Sequence, residues 1–318
     1  MIEAAGRQAL GARAVVFEEP QQLALRPVSL MPPTDSDVVV EVDYSGISTG
    51  TERLLYTGRM PWFPGLEYPL VPGYESVGRV VEAGAESGRR VGETVFVPGA
   101  RCYSDVSGVF GGAASRIVVS GERVIPVPAE WGSRGVLLAL AATAWHAAAE
   151  APPDLVVGHG ALGRLIARIG VLVGHPPVVW ETNEARRDGA AGYDVVHPEG
   201  DERHDYRRIC DVSGDAALLD TLIGRLDRGG EVVLAGFYSE RLAFSFPAAF
   251  MREARLRVAA EWGREDLEAV LQRVEAGDLS LDGLITHSLG AEEAAAAYRI
   301  AFDEPECLKM VLDWEGCR

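Results

Sequence analysis

Residues 154–163 read D-L-V-V-G-H-G-A-L-G, and this stretch limits the fold more tightly than any other in the chain. The apolar run Leu155-Val156-Val157 meets Gly158, Gly160 and Gly163 in G-x-G-x-x-G spacing. Apolar residues from Leu165 to Val173 then recur at roughly helical spacing. That is a strand, a tight turn and a helix. The three glycines act differently. Gly158 turns the chain out of the strand, Gly160 admits a pyrophosphate to the backbone, and Gly163 lets the helix lie close to the strand. The helix start at Ala161-Leu162 offers unpaired N–H groups and a partial positive charge to phosphate oxygens.

A second apolar run, Val178-Val179-Trp180, ends in Glu181, an acid about 20 residues past the glycines, where a dinucleotide fold holds the adenosine ribose hydroxyls. Its carboxylate would repel a 2′-phosphate and so favours NAD. Arg186 and Arg187 argue for NADP, or cap the helix expected after the strand. Further strands are expected at 193–196, 209–212, 231–235 and 256–260. Strands alternating with helices give a parallel sheet covered on both faces, a Rossmann domain.

The chain has 318 residues, enough for two domains. Its formal net charge of −17 argues against a nucleic-acid backbone or an anionic membrane surface as partner. No apolar run reaches the length of a membrane span, and residues 1–13 lack the apolar core of a signal peptide. Cys102, Cys210, Cys307 and Cys317 are scattered without a C-x-x-C, so neither a disulfide framework nor a zinc knuckle is expected. A cytoplasmic setting fits best.

Residues 12–128 are rich in short strand signals punctuated by glycine and proline. The runs 13–17, 23–28, 37–42, 78–84, 93–97 and 115–119 suggest a small barrel. An alanine-rich helix is expected over 135–150. Beyond Gly263 come a helix (265–275), a strand near 284–289, a helix (292–301) and a last strand (308–312). The expected division is 1–149 as the first part of a catalytic domain, 150–262 as the Rossmann domain, and 263–318 as a tail returning to the first.

This order resembles the medium-chain dehydrogenase/reductase superfamily. The resemblance covers nearly the whole chain and rests on Gly46-Ile47-Ser48, the run Val71 to Gly78 (V-P-G-Y-E-S-V-G), Ala142-Thr143-Ala144, the glycine turn, and Asp211-Val212-Ser213-Gly214 before Gly229-Gly230. It implies an α/β fold, with a GroES-like β-barrel catalytic domain beside a doubly wound Rossmann sheet. Thr143 and Ser213 would then stand beside the cofactor. Dimerisation through the edge strand at 256–260 is also implied. Where the zinc enzymes carry metal ligands, this chain looks to have Ser48, Tyr74 and Ala139, and the cysteine-rich zinc lobe is missing. Zinc prefers thiolate, imidazole or carboxylate, so no zinc is expected.

Without a Lewis acid the reacting oxygen needs another proton partner. Tyr74, Ser48, Thr51 and His146 are the candidates, each with a plainer reading as a packing, turn-capping or structural residue. His159 reads as a residue that the turn tolerates. The stretch 56–68 carries Tyr56, Arg59, Trp62, Phe63 and Tyr68, and suits either a large flat ligand or a packed loop. The run 45–53, the P-G-Y-E-S-V-G segment, 138–146 and 179–187 more narrowly resemble the zinc-less bacteriochlorophyllide dehydrogenases of photosynthetic bacteria. That implies NAD-dependent oxidation of a 3-(1-hydroxyethyl) group to 3-acetyl, with Arg53 or Arg59 meeting the macrocycle's propionate. The alternatives are a zinc-independent NADPH quinone or enone reductase, and a non-catalytic NAD(H)-sensing protein.

Overall fold

A computed structural model describes residues 10–149 and 151–317. Residues 1–9, part of the segment read as lacking a signal peptide, and Glu150, the end of the expected alanine-rich helix, lie outside the described residues. Contacts divide the chain into two compact units. One runs to Leu137 and resumes at Ile285; the other spans Leu138–Leu284.

The first unit is built from β1 (Gly11–Glu19), β2 (Gln22–Ser29), β3 (Asp37–Ile47), β4 (Leu70–Val71), β5 (Ser76–Ala83), β6 (Thr94–Val97), β7 (Ser107–Gly108), β8 (Arg116–Ser120) and β9 (Ile125–Pro126), with one short helix, α1 (Thr51–Thr57). The second holds α2 (Leu138–Ala148), β10 (Leu155–Val157), α3 (Ala161–Leu172), β11 (Val178–Trp180), β12 (Asp194–Val196), β13 (Tyr206–Asp211), α4 (Leu219–Arg225), β14 (Leu226–Leu234), α5 (Phe246–Arg252), β15 (Arg255–Val258) and α6 (Arg264–Glu275). The chain then returns to the first unit with β16 (His287–Gly290), α7 (Ala294–Asp303) and β17 (Met310–Asp313).

In the first unit, β2-β1-β4-β7 form one sheet and β16-β17-β3-β5-β6-β9 a second, with β8 also paired to β3. The pattern V-V-V-E-V of β3 explains its central place: Val38, Val39, Val40 and Val42 are all buried, and strands flank it on two edges. Phe17 from β1 stacks edge-on against Tyr56 and Tyr298, and Phe302 closes this aromatic cluster. Aromatic pairs in such geometry contribute about 0.5–1.5 kcal/mol beyond their buried area. The last strand, β17, lies antiparallel to β3, and the Trp314 indole donates to Ser45 Oγ at 2.9 Å.

The second unit is a six-stranded sheet in the order β12-β11-β10-β13-β14-β15, with every neighbouring pair parallel. That is the dinucleotide-binding strand order, with its crevice where the order reverses beside β10. The unit boundaries differ from 149 and 263 because α2 packs on α3 and on α6. Residues 138–149 and 263–284 therefore belong with the parallel sheet. A second departure lies between β11 and β12. The expected α-helix is replaced by a single 3-10 turn, Glu184–Arg186, capped by the Asn183 side chain accepting from Ala185 N. Arg187, instead of capping a helix, donates to the carbonyls of Glu181 and Thr182.

Candidate active site and cofactor turn

In the first unit, β3 ends at Ile47 and the chain turns at Ser48-Thr49-Gly50 into α1. Glu52 closes this turn twice: its backbone N–H donates to Ser48 O, and its Oε1 accepts from the Ser48 N–H, both at 3.0 Å. Ser48 is thereby fixed at the end of a central strand. Tyr74 arrives from the turn that precedes β5, with Phe110 packed edge-on against its ring at 5.3 Å. The two hydroxyls meet at 2.7 Å, and Thr51 is a further hydrogen-bond partner of Tyr74. Burial, and next the charge of Glu75, push the Tyr74 phenol above its ordinary range. The phenol therefore keeps its proton near neutrality.

Behind this pair lies a charged interior. Glu75 is 1% exposed and is ion-paired with Lys309, itself 3% exposed. A side chain at position 46 would collide with both partners, since a Cβ there would sit 2.3 Å from Glu75 Oε2 and 2.9 Å from Lys309 Cε. Glycine in G-I-S is thus required by the ion pair. Glu52 is equally buried; Tyr298 donates to its Oε2 at 2.5 Å. Burial pushes the Glu52 carboxyl up to about 7, against the pull of the Tyr298 and Ser48 hydrogen bonds.

Of the candidate ligand-facing residues, Tyr56 is half-buried against the core. Its ring packs between Phe17 and Phe302, and its hydroxyl donates to Gln21 O at 3.0 Å. Phe63 is partly buried against the same core. Trp62 is 78% exposed, and Arg53 and Arg59 are exposed as well. Tyr68, by contrast, is held by its hydroxyl on Leu55 O.

In the second unit the glycine turn has the expected geometry. Gly158 has φ +106°, and a Cβ on Gly163 would stand 1.9 Å from Gly158 O. Gly163 is what allows α3 to start against the strand. Gly160 precedes α3 with open space beside it, and Leu162 is half-buried in the first turn. The Glu181 carboxylate, 8% exposed, is aimed by two amides: His159 N–H reaches Oε2 at 2.9 Å and Asn183 N–H reaches Oε1 at 2.8 Å. Each oxygen keeps a lone pair for a further donor. Open backbone beside Gly160, the amide end of α3 and this acceptor pair fit the pyrophosphate and ribose of a dinucleotide.

Other candidates in this unit have local partners. Ser213 donates to Asp211 Oδ1 at 2.7 Å, and its Oγ accepts from Asp215 N. Thr143, half-buried on α2, donates to Ala139 O. His146 bonds Asp266 at 3.0 Å, and the same carboxylate oxygen accepts from Gly263 N at the start of α6. This ties α2 to α6 and gives His146 a structural partner. Sequence reasoning missed the buried pair Glu75–Lys309 and the carboxyl of Glu52, whose partners lie far along the chain. It also passed over His159, which is fully buried. Among the described residues, no three His, Cys, Asp or Glu side chains gather as a metal site would need.

Residues 34–129 match the alcohol dehydrogenase GroES-like domain. Over 312 residues the chain is 53% identical to the 2-desacetyl-2-hydroxyethyl bacteriochlorophyllide A dehydrogenase of Cereibacter sphaeroides, covering 95% of this chain and 98% of that one. The chain belongs to this family of medium-chain dehydrogenases. The Rhodobacter capsulatus protein of the same name is likewise 53% identical, over 96% of this chain and 99% of its own. Solved structures of much lower identity share the fold. Acetophenone reductase from Geotrichum candidum, solved in complex with NAD, superposes with a TM-score of 0.82 at 18% identity, covering 97% of this chain and 99% of that one. Among the described residues, no helix of this family member is long and apolar enough to cross a membrane.

Proposed function

We propose that this chain oxidises the secondary alcohol of a hydroxyethyl-bearing bacteriochlorophyllide to the acetyl ketone, with NAD as hydride acceptor. The observation that carries the reading is 53% identity along almost the whole chain to two dehydrogenases named for that substrate. The bound nicotinamide supplies the hydride chemistry; the protein supplies binding, orientation and proton handling. Gly158, Gly160, Leu162 and Gly163 shape the phosphate turn, and Glu181 takes the ribose hydroxyls. Its carboxylate disfavours a 2′-phosphate, and Arg187 is committed to backbone carbonyls. Thr143, Ser213 and Arg186 complete the proposed cofactor wall.

The Ser48–Tyr74 pair replaces a metal at the reacting oxygen. In the oxidation one hydroxyl accepts the proton of the substrate alcohol as it hands its own to the other, which releases one to solvent water, so neither ionises for long. Thr51 supports Tyr74. Arg53 and Arg59 offer cations for a carboxylate on the macrocycle, and Trp62 offers an apolar face. The chain acts as a homodimer joined through the edge strand β15.

The test is an absorbance assay of the purified protein with a 3-hydroxyethyl bacteriochlorophyllide. A red-shifted pigment band with NAD, weaker with NADP and unaffected by a zinc chelator, supports substrate, cofactor and metal-free chemistry. No spectral change with either cofactor turns the reading toward the quinone reductase alternative.

A further inference from the structure

The loop joining β11 to β12 holds a single 3-10 turn in place of an α-helix, with few hydrogen bonds of its own. Side chains that reach it from the glycine turn and from α3 add to them. His159 stands between Gly158 and Gly160, and its imidazole is fully buried. Its Nδ1 lies 2.6 Å from Arg186 O and its Nε2 2.8 Å from the Tyr193 hydroxyl. A carbonyl only accepts, so Nδ1 carries a proton. Burial pulls the ring down to about 4, so it is neutral near pH 7 and Nε2 accepts from the phenol. Tyr193 meets the ring edge-on at 5.6 Å. One turn into α3, Arg164 is 6% exposed and donates to the carbonyls of His159, Arg186 and Asp188.

Both ends of the ribose-binding acid are drawn into this network. Glu181 Oε2 is held by the His159 amide and Oε1 by Asn183, the first residue of the loop that His159 and Arg164 fasten. We infer that His159, with Tyr193 and Arg164, is a positioning latch that fixes Glu181 and the 183–189 loop for an unphosphorylated adenosine ribose, setting preference for NAD over NADP. The inference rests on the NAD reading given above and deepens it. Its physical basis is preorganisation: an acceptor pair already aimed spends no binding energy on ordering, and a fastened loop cannot yield space to a 2′-phosphate.

The experiment is titration of intrinsic fluorescence with NADH and NADPH for the full chain and three variants, with kcat, KM and thermal melts recorded in parallel. Tyr193→Phe removes one hydroxyl and keeps the ring, and loss of that single buried hydrogen bond is expected to weaken NADH about threefold. His159→Leu removes both side-chain bonds and is expected to weaken NADH about tenfold or more, with NADPH changed by less than about twofold. His159→Asn places an amide where Nδ1 stood and is expected to recover part of the loss. KM for NAD rises in each case while kcat stays near that of the unaltered chain. Equal or tighter NADPH binding by the unaltered chain overturns the NAD reading itself. Where that chain does prefer NADH, an unchanged NADH-to-NADPH ratio in Tyr193→Phe and His159→Leu overturns the latch, even if both variants melt lower.

Discussion

The hydroxyl oxygens of Ser48 and Tyr74 lie 2.7 Å apart, one at the end of β3 and the other just before β5. A proton can pass between them without movement of the backbone. Removing either hydroxyl, by Ser48→Ala or Tyr74→Phe, is expected to lower kcat by about 100-fold, the usual scale for a lost proton-transfer partner. NADH affinity is expected to stay the same, because the cofactor turn is built from other residues. Steady-state rates with the pigment and a parallel NADH titration check this; normal turnover in both variants removes the pair from the mechanism.

Gly163 allows the least change of the three glycines in the turn. Its Gly163→Ala variant pushes a methyl to 1.9 Å from Gly158 O, so the helix must back away from the strand. Overpacking of this kind costs roughly 1–3 kcal/mol. A lower melting temperature is expected, together with a greater loss of NADH binding than of pigment binding, measured by calorimetry.

Glu52 makes stability depend on pH. Its folded carboxyl titrates at about 7 against an ordinary 4.5, so between those values the folded chain binds more protons than the unfolded one. Stability from this group is therefore complete below 4.5 and is lost as pH rises through 7. Glu52→Gln keeps groups that can bond Tyr298 and Ser48 but removes the titration. Thermal melts between pH 5 and 8 are expected to fall less steeply for the variant; parallel slopes in the two proteins would falsify the assignment.

At the sheet edge, β15 exposes Leu256 (40%) and Val258 (71%), with Phe246 and Phe250 of α5 also exposed. An open apolar edge invites pairing with a second copy. Val258→Asp is expected to shift light-scattering mass from dimer to monomer. A monomeric unaltered chain at the same concentration defeats the dimer proposal.

The glycine turn, the alternation of strands and helices and the family could be read from the sequence because their determinants are local. G-H-G-A-L-G carries its own geometry, and V-V-V-E-V announces a strand buried on both faces. Helix α1 escaped notice because its seven residues are too few to show a period. The missing helix after β11 was concealed by a stretch, E-T-N-E-A-R-R, whose propensities suit a helix start. For Tyr56 the sequence leaves a ligand-facing and a packed-loop reading open, because its neighbours Phe17 and Phe302 lie far away along the chain. Lys309 and Glu75 face the same obstacle: nothing local marks either as the other's counter-charge. His159 did leave a signal, since an imidazole squeezed between two glycines of a buried turn needs polar partners.

The antiparallel seam of β17 on β3 has a consequence for how the chain is made. The sheet carrying Ser48 receives its β17 neighbour, and Glu75 its ammonium, only when residues 309–313 leave the ribosome. The Leu138–Leu284 unit is continuous, so all of its strands are available earlier. Synthesis therefore delivers a finished nucleotide-binding half before the half that carries the Ser48–Tyr74 pair can close, the reverse of their order in the gene.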